Sequence, residues 1–177
     1  MGKSHSEKII TKRLILRAVT ASDLTDIYEY VSDSQVADQG GFSYCPTKEA
    51  AMKFLKLLVV PVNWVVEEKK QLKVIGNIGL SETVTEQHEA DPSKRLLGYV
   101  LNAKFKNQGY MTEAVDAVLQ WAHFHGIKQL QAVVAGENIA SQRVLIKNGF
   151  TLQDIFEAPW GSQLMIKKFG FFEKVIR

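Results

Sequence analysis

The sequence has little cysteine, little proline and little excess charge of either sign. One cysteine, Cys45, in 177 residues excludes an intrachain disulfide and a cysteine-built metal cluster, and suits a reducing, cytoplasmic interior. Four prolines and the lack of any Pro/Gly/Ser-rich stretch leave no linker, so one domain over residues 1–177 is expected, with 1–8 as a flexible N-terminus. The longest apolar run is the six residues Leu57–Val62, where a membrane-spanning helix needs about twenty. Met1–Lys8 is polar and has no apolar signal core. A soluble protein with no membrane partner is therefore expected. Lys plus Arg is 22 and Asp plus Glu is 19, so the net charge is only +3. A nucleic-acid binder concentrates basic residues on one face, so this balance argues against a nucleic-acid partner.

What the chain does have is a globular composition, 46% hydrophobic and 23% charged, which excludes a disordered chain. Leu14 and Leu16 alternate with Arg13, Ile15 and Arg17, which predicts a strand. Thr20 or Ser22 can cap the helix that carries Leu24, Ile27, Tyr28 and Val31, and acidic Asp23 suits its first turn. Gly40-Gly41 breaks that pattern, and Pro46-Thr47 opens a second helix with Ala51, Phe54, Leu55 and Leu58. Strands are predicted over 63–67 and 74–80, a polar hairpin loop over 82–94, and a buried central strand over 96–101. A long helix to about Phe124 shows one apolar face: Met111, Ala114, Val115, Val118, Leu119 and Ala122. A strand at 129–135 and a helix at 138–148 with Ala140, Val144 and Leu145 inside follow, and Gly149 stands where a helix end favours a left-handed residue. Strands near 150–156 and 163–169 close the chain. The order β-α-α-β-β-β-α-β-α-β-β predicts a mixed α/β layer architecture.

Lys106-Asn-Gln-Gly-Tyr-Met-Thr112 joins the central strand to the long helix. The first amides of a helix have no partner within it, and the dipole favours an anion there, so Gly109 is either the entrance to a phosphate site or a plain tight turn. Three stretches in order carry more weight: Leu97-Gly-Tyr-Val-Leu-Asn102, Phe105-Lys-Asn-Gln-Gly-Tyr-Met-Thr-Glu-Ala114, and Asn138-Ile-Ala-Ser-Gln-Arg-Val-Leu-Ile-Lys-Asn-Gly-Phe150. Together they resemble the GNAT superfamily of acetyl-CoA-dependent N-acetyltransferases. The opening Ile10-Thr-Lys-Arg-Leu-Ile-Leu-Arg17, with Ser22-Asp23, is similar to the branch of ribosomal-protein N-terminal (alanine/serine) acetyltransferases. The resemblance spans about residues 9–169. It implies a central mixed, mostly antiparallel twisted sheet of about seven strands, flanked by helices, whose central strands splay apart.

It also implies residue roles. Backbone near Val100 and Leu101 would pair with the amide arm of pantetheine, as an added strand does. The acetyl-CoA pyrophosphate would sit on Gln108, Gly109, Tyr110, Met111 and Thr112, next to Asn107. Lys106 stands where the family has Arg or Gln, and keeps the charge without the planar fork. Met111 stands where a small residue is usual. Asn138 would contact the pantetheine arm, or serve as a helix N-cap, or both. Many members place a tyrosine acid seven residues after that asparagine, to protonate the leaving thiolate; here the position is Leu145. In the resembling branch a serine at the Ser141 position serves instead, although a serine there can equally satisfy its own helix backbone. No metal is implied.

Transfer to an amine sets its own requirements. The amine, with a pKa of roughly 8 at a chain terminus or roughly 10 on lysine, must lose a proton before it attacks. A general base is therefore expected, and Glu157 is favoured over Glu82, each being otherwise a solvated charge. A backbone N–H near Val100 could hold the oxyanion. Glu113, inside the motif, reads as a structural contact. Cys45 reads as a small buried or loop thiol. The acidic stretch with Glu82, Glu86, Glu89 and Asp91 could draw in a cationic amine or be a solvated hairpin. His123 and His125, two residues apart, do not have the spacing of a helical metal site. The acceptor is left open between a peptide N-terminus and a small amine such as a polyamine, amino acid or aminoglycoside. A non-catalytic acyl-CoA sensor, and a homodimer, are left open as well.

Overall fold

A computed structural model describes residues 7–84, 90–160 and 165–176. Its strands are β1 (Ile9–Ile10), β2 (Leu14–Arg17), β3 (Asn63–Glu68), β4 (Lys73–Val84), β5 (Ala90–Leu101), β6 (Gln129–Ala135), β7 (Thr151–Trp160) and β8 (Met165–Val175). Its helices are α1 (Leu24–Val31), α2 (Ser34–Gly40), α3 (Lys48–Leu57), α4 (Tyr110–Phe124) and α5 (Ile139–Lys147). The strand order is β1-β2-β3-β4-β5-β6-β8-β7. The pairs β1–β2, β2–β3, β3–β4, β6–β8 and β7–β8 are antiparallel, and β5–β6 is parallel. This mixed, mostly antiparallel sheet with flanking helices is the architecture that the sequence predicts, with eight strands rather than about seven.

Contacts divide the chain into two compact units: Met1–Gly79 with Tyr99–Ala114, and Leu80–Gly98 with Val115–Arg177. In the first unit, α1 follows a capping box in which Asp23 accepts from the Thr20 amide at 2.7 Å. Thr47 caps α3 by accepting from the Ala50 amide at 3.2 Å. The apolar faces of α1 and α3 close over β3 and β4, burying Ile27, Tyr30, Val31, Ala51, Leu55, Val65 and Val74 together with Val100. Each large apolar side chain so buried contributes roughly 1.5–3 kcal/mol. Cys45 belongs to this cluster, its Sγ 3.2 Å from the Ser43 carbonyl oxygen, and burial pushes its thiol pKa up. It is the inert buried thiol that its place in the sequence suggests.

Two charged networks hold the unit's surface. The Arg17 guanidinium grips Asp23 with both terminal nitrogens at 2.8 Å and donates from Nε to Glu67 at 2.7 Å. Burial alone would raise the Asp23 pKa, but the bonds from Arg17 and Thr20 outweigh it and hold the carboxyl below its usual range. Glu29 accepts from Lys104 and lies 2.5 Å from Lys73 Nζ. These ammonium groups, Lys104 first, lower its pKa from 4.5 to about 2. A carboxylate with a lowered folded-state pKa contributes stability that is complete above the unfolded value and is lost as pH falls through the folded one. Thermal midpoints measured between pH 4.5 and about 2 should therefore fall more steeply for the wild type than for Glu29→Gln. Parallel curves would show that Glu29 is not linked to folding.

In the second unit, β6 lies between β5 and β8. Its parallel ladder with β5 joins Lys94–Leu96 to Gln129–Gln131 and stops there, while β5 continues to Leu101 and β6 to Ala135. β7 forms the sheet edge; its residues 151–157 are all exposed, and its pairing slips between Leu152 and Asp154. α5 is capped by the Asn138 side chain, which accepts from the Ser141 amide at 3.1 Å.

Several boundaries depart from the sequence reading. Residues 82–84 and 90–94, assigned there to a polar loop, are strand, so β4 and β5 are each twelve residues long; Glu86 and Glu89 lie outside the described residues. β5 therefore starts at Ala90 rather than at residue 96, and only Leu97 and Val100 of its second half are buried. The extra helix α2 is started by Asp33, which accepts from the amides of Gln35 and Val36, and is ended by left-handed Gly41 at φ 70°. Ala140 is exposed, whereas Leu145 is fully buried. His125 lies just past α4, and its ring stacks on Trp121 at 3.8 Å.

Candidate active site

The first unit holds the loop that follows β5. Asn102 ends the strand: its amide donates to the Ile75 carbonyl at 2.8 Å, and its side chain accepts from the Lys104 amide at 3.0 Å. A single 3-10 turn, Ala103–Phe105, leads into Lys106. Asn107 and Gly109 are both left-handed, at φ 60° and 78°. The first i→i−4 bond of α4 runs from the Glu113 amide to the Gly109 carbonyl at 3.1 Å. The amides of Tyr110, Met111 and Thr112 therefore precede the helical ladder. Amides in that position, at the positive end of the helix dipole, form an anion-binding start. Lys106 adds a cation whose Nζ donates to Gln39 at 2.8 Å. Met111, where a small residue is usual, is buried, only 4% exposed.

The loop is tied to the start of β2. Arg13 donates from Nε to Glu113 at 2.6 Å and from a terminal nitrogen to the Gln108 carbonyl at 2.8 Å. Its guanidinium carbon lies 4.4 Å from the centre of the Tyr110 ring. Glu113 also accepts from the Thr11 hydroxyl at 2.6 Å and from the Arg13 amide at 2.8 Å. Burial would raise the Glu113 pKa; the bonds from Thr11 and Arg13 outweigh it and hold the carboxyl below its ordinary range. Glu113 is thus the structural contact that its position suggests. Its partners are not legible in the sequence, where nothing in the strand or the family pattern links Arg13 to a residue a hundred positions away.

Val100 and Leu101 precede this loop. A Cβ added to Gly76 of β4 would stand 2.2 Å from the Val100 carbonyl oxygen, so glycine alone permits the approach of the two backbones. Asn77, the next residue, accepts from the buried Tyr30 hydroxyl at 3.0 Å. Burial, first, and the nearby Asp23 and Asp26 charges raise the Tyr30 pKa, so this phenol stays a neutral donor. The candidates Val100, Leu101, Lys106, Asn107, Gln108, Gly109, Tyr110, Met111 and Thr112 are all contained in this unit.

The second unit holds the other candidates. Asn138 is 8% exposed and is the N-cap of α5; Ser141 is half-buried, with its amide on that cap. Leu145, one turn further on, is fully buried. Glu157 is exposed on β7, 4.0 Å from Lys168 Nζ. Glu82 is exposed near the end of β4. A separate cleft of about 770 Å³, lined by residues such as Asp116, Leu119, His123, Glu173 and Ile176, contains none of the candidate residues. Among the described residues no cluster of His, Cys, Asp and Glu could hold a metal ion, and no helix is long and apolar enough to cross a membrane.

The model of the acetyltransferase (GNAT) domain matches residues 13–151. The chain belongs to the GNAT acetyltransferase family. The match takes in the loop after β5 and the start of α5, and it makes the protein an N-acetyltransferase, that is, an acyltransferase. The chain is 30% identical over 160 residues to the uncharacterized N-acetyltransferase YnaD of Bacillus subtilis (strain 168), covering 84% of this chain and 85% of that one. It is similar in fold to a GNAT-family acetyltransferase from Bacillus anthracis, with a TM-score of 0.82 at 23% identity, covering 96% and 98% of the two chains. It is also similar in fold to RimL, a ribosomal L7/L12 alpha-N-protein acetyltransferase solved with coenzyme A. That TM-score is 0.77 at 17% identity, covering 96% and 98% of the two chains.

Proposed function

We propose that this GNAT acetyltransferase takes its acetyl group from acetyl-CoA and delivers it to the N-terminal amine of a protein. The observation that carries the donor half is the start of α4: left-handed Gly109, the amides of Tyr110–Thr112 ahead of the helical ladder, and cationic Lys106 form a donor set suited to a diphosphate. Gln108 and Asn107 complete the turn. Val100 and Leu101 offer strand backbone to the pantetheine arm. The acceptor half is supported by the opening Ile10–Arg17 stretch with Ser22-Asp23 and by the likeness to RimL, whose name gives it a protein α-amine. The family match runs through parts of both compact units, which supports one acetyltransferase domain.

The chemistry assigns roles to the remaining residues. The neutral amine attacks the thioester carbonyl, a C–N bond forms and the C–S bond breaks. The amine proton passes to a carboxylate, and the departing sulfur needs a donor. Asn138 contacts the pantetheine arm while it caps α5. Ser141 is the donor to sulfur. Glu157, exposed on β7, takes the amine proton through water, with Glu82 as the alternative. Glu157→Gln should then depress kcat/KM at neutral pH by roughly 10²-fold and remove the acidic limb of the pH–rate profile. An unchanged profile would transfer the role to Glu82.

A panel of peptides with free or blocked N-termini, set beside polyamines, amino acids and aminoglycosides, tests the acceptor. Acetylation at the α-amine of the free peptides, located by mass spectrometry, is the expected result. Turnover confined to the small amines would replace the protein acceptor. Tight acetyl-CoA binding with no turnover across the whole panel would favour a sensor.

A further inference from the structure

The start of α4 does not hold its shape alone. Its left-handed residues, Asn107 and Gly109, flank Gln108, and the Gln108 carbonyl is the acceptor of Arg13. The same guanidinium binds Glu113, on the first turn of the helix, and covers the Tyr110 ring. A second Arg13 terminal nitrogen lies 3.4 Å from the point where a Gly109 side chain would begin. One planar group thus touches or flanks Gln108, Gly109, Tyr110 and Glu113, residues at and around the start of α4. Glu113 is in turn fixed by Thr11 and the Arg13 amide. A lone αL non-glycine residue such as Asn107 is tolerated where its surroundings over-determine it.

We propose that Arg13 is a positioning residue of this enzyme: with Glu113 and Thr11 it clamps the loop 106–112 in the shape that receives the acetyl-CoA diphosphate. The inference rests on the acetyl-CoA reading above and deepens it. Three features favour a clamp over a mere surface ion pair. Arg13 spends donors on a carboxylate and on a carbonyl at once, from two different nitrogens held in one plane, a geometry that a single lysine ammonium does not reproduce. The carboxylate it holds carries two further hydrogen bonds from Thr11 Oγ1 and the Arg13 amide. The tie joins the residues just before β2 to the first turn of α4, a hundred residues on.

The test uses the full chain with Arg13→Ala, Arg13→Lys and Glu113→Gln. Two ligands are titrated calorimetrically: acetyl-CoA, and S-acetylpantetheine, which lacks the diphosphate. Hydrogen exchange is followed at the amides of 108–112. The clamp predicts that all three variants exchange these amides at least about tenfold faster, with the amides of β6 unchanged. It predicts acetyl-CoA affinity lower by about tenfold or more, S-acetylpantetheine affinity unchanged, and a raised acetyl-CoA KM with kcat at saturation within about twofold. Arg13→Lys should recover little over Arg13→Ala, since one ammonium does not place donors at the two separate guanidinium nitrogen positions that meet Glu113 and Gln108. Unchanged exchange at 108–112 in folded Arg13→Ala overturns the clamp. So does equal weakening of both ligands, or full rescue by lysine. Failure of the wild type to bind acetyl-CoA would overturn the donor reading instead, and the exchange experiment still decides whether Arg13 holds the loop.

Discussion

Ser141→Ala is expected to lower kcat by roughly 10- to 100-fold while leaving acetyl-CoA affinity and the thermal midpoint nearly unchanged. The size follows from the chemistry. A serine hydroxyl is a far weaker acid than a thiol, so Ser141 serves the departing sulfur as a hydrogen-bond donor, and one bond to a developing charge is worth about 1.5–3 kcal/mol. The stability side follows from the cap. It is the Ser141 amide that Asn138 holds at 3.1 Å, and alanine keeps that amide. Asn138→Ala would instead remove the cap, cost about 1 kcal/mol of stability and weaken cofactor binding together. Burst and steady-state kinetics separate the two cases. Unchanged turnover in Ser141→Ala would remove Ser141 from the mechanism, and with it the argument that a serine replaces the tyrosine absent at Leu145.

Gly76→Ala should be the most damaging single methyl group in the first unit. The added Cβ would stand 2.2 Å from the Val100 carbonyl oxygen and 3.1 Å from the Leu101 Cα. These are backbone atoms, so no side-chain rotation relieves the clash. Overpacking of this kind costs roughly 1–3 kcal/mol or more, and a chain of this size loses about 2–4 °C of thermal midpoint per kcal/mol. A drop of up to about 10 °C is expected, with weakened acetyl-CoA binding, because the displaced backbone is the segment assigned to the pantetheine arm. A thermal melt and a titration check both. A stable, fully binding Gly76→Ala would show that the Val100–Leu101 backbone is free to move without consequence.

Much of this architecture was legible in the sequence. α4 and β6 were readable to within a residue, because α4 carries a continuous apolar face and β6 lies between polar turns. The cap at Thr47 and the left-handed Gly149, at φ 77°, were readable from local chemistry that acts over a few residues. The hairpin was misread for a physical reason. Residues 82–84 and 90–94 are extended but only partly buried, and polarity reports exposure rather than backbone conformation. Helix α2 was missed because it is seven residues long and polar, and its Asp33 cap has no apolar period behind it.

The candidate site was legible where the family pattern is local. The loop 106–112 and the start of α5 lie where the motifs place them. The link from Arg13 and Thr11 to Glu113 is a pairing across a hundred residues, and no periodicity announces it. Glu157 and Glu82 remain the least specified, since an exposed carboxylate on a strand looks the same whether it takes a proton from a substrate or faces water.

The central claim, transfer of an acetyl group from acetyl-CoA to an amine, is tested most directly in one cell. Acetyl-CoA is titrated calorimetrically into the wild-type protein, and thiol release is then followed in the same sample as N-terminal peptides are added. The account predicts saturable binding at roughly micromolar concentration and release of one thiol per α-amine acetylated. No binding of acetyl-CoA, or thiol release that is independent of added amine, would contradict it.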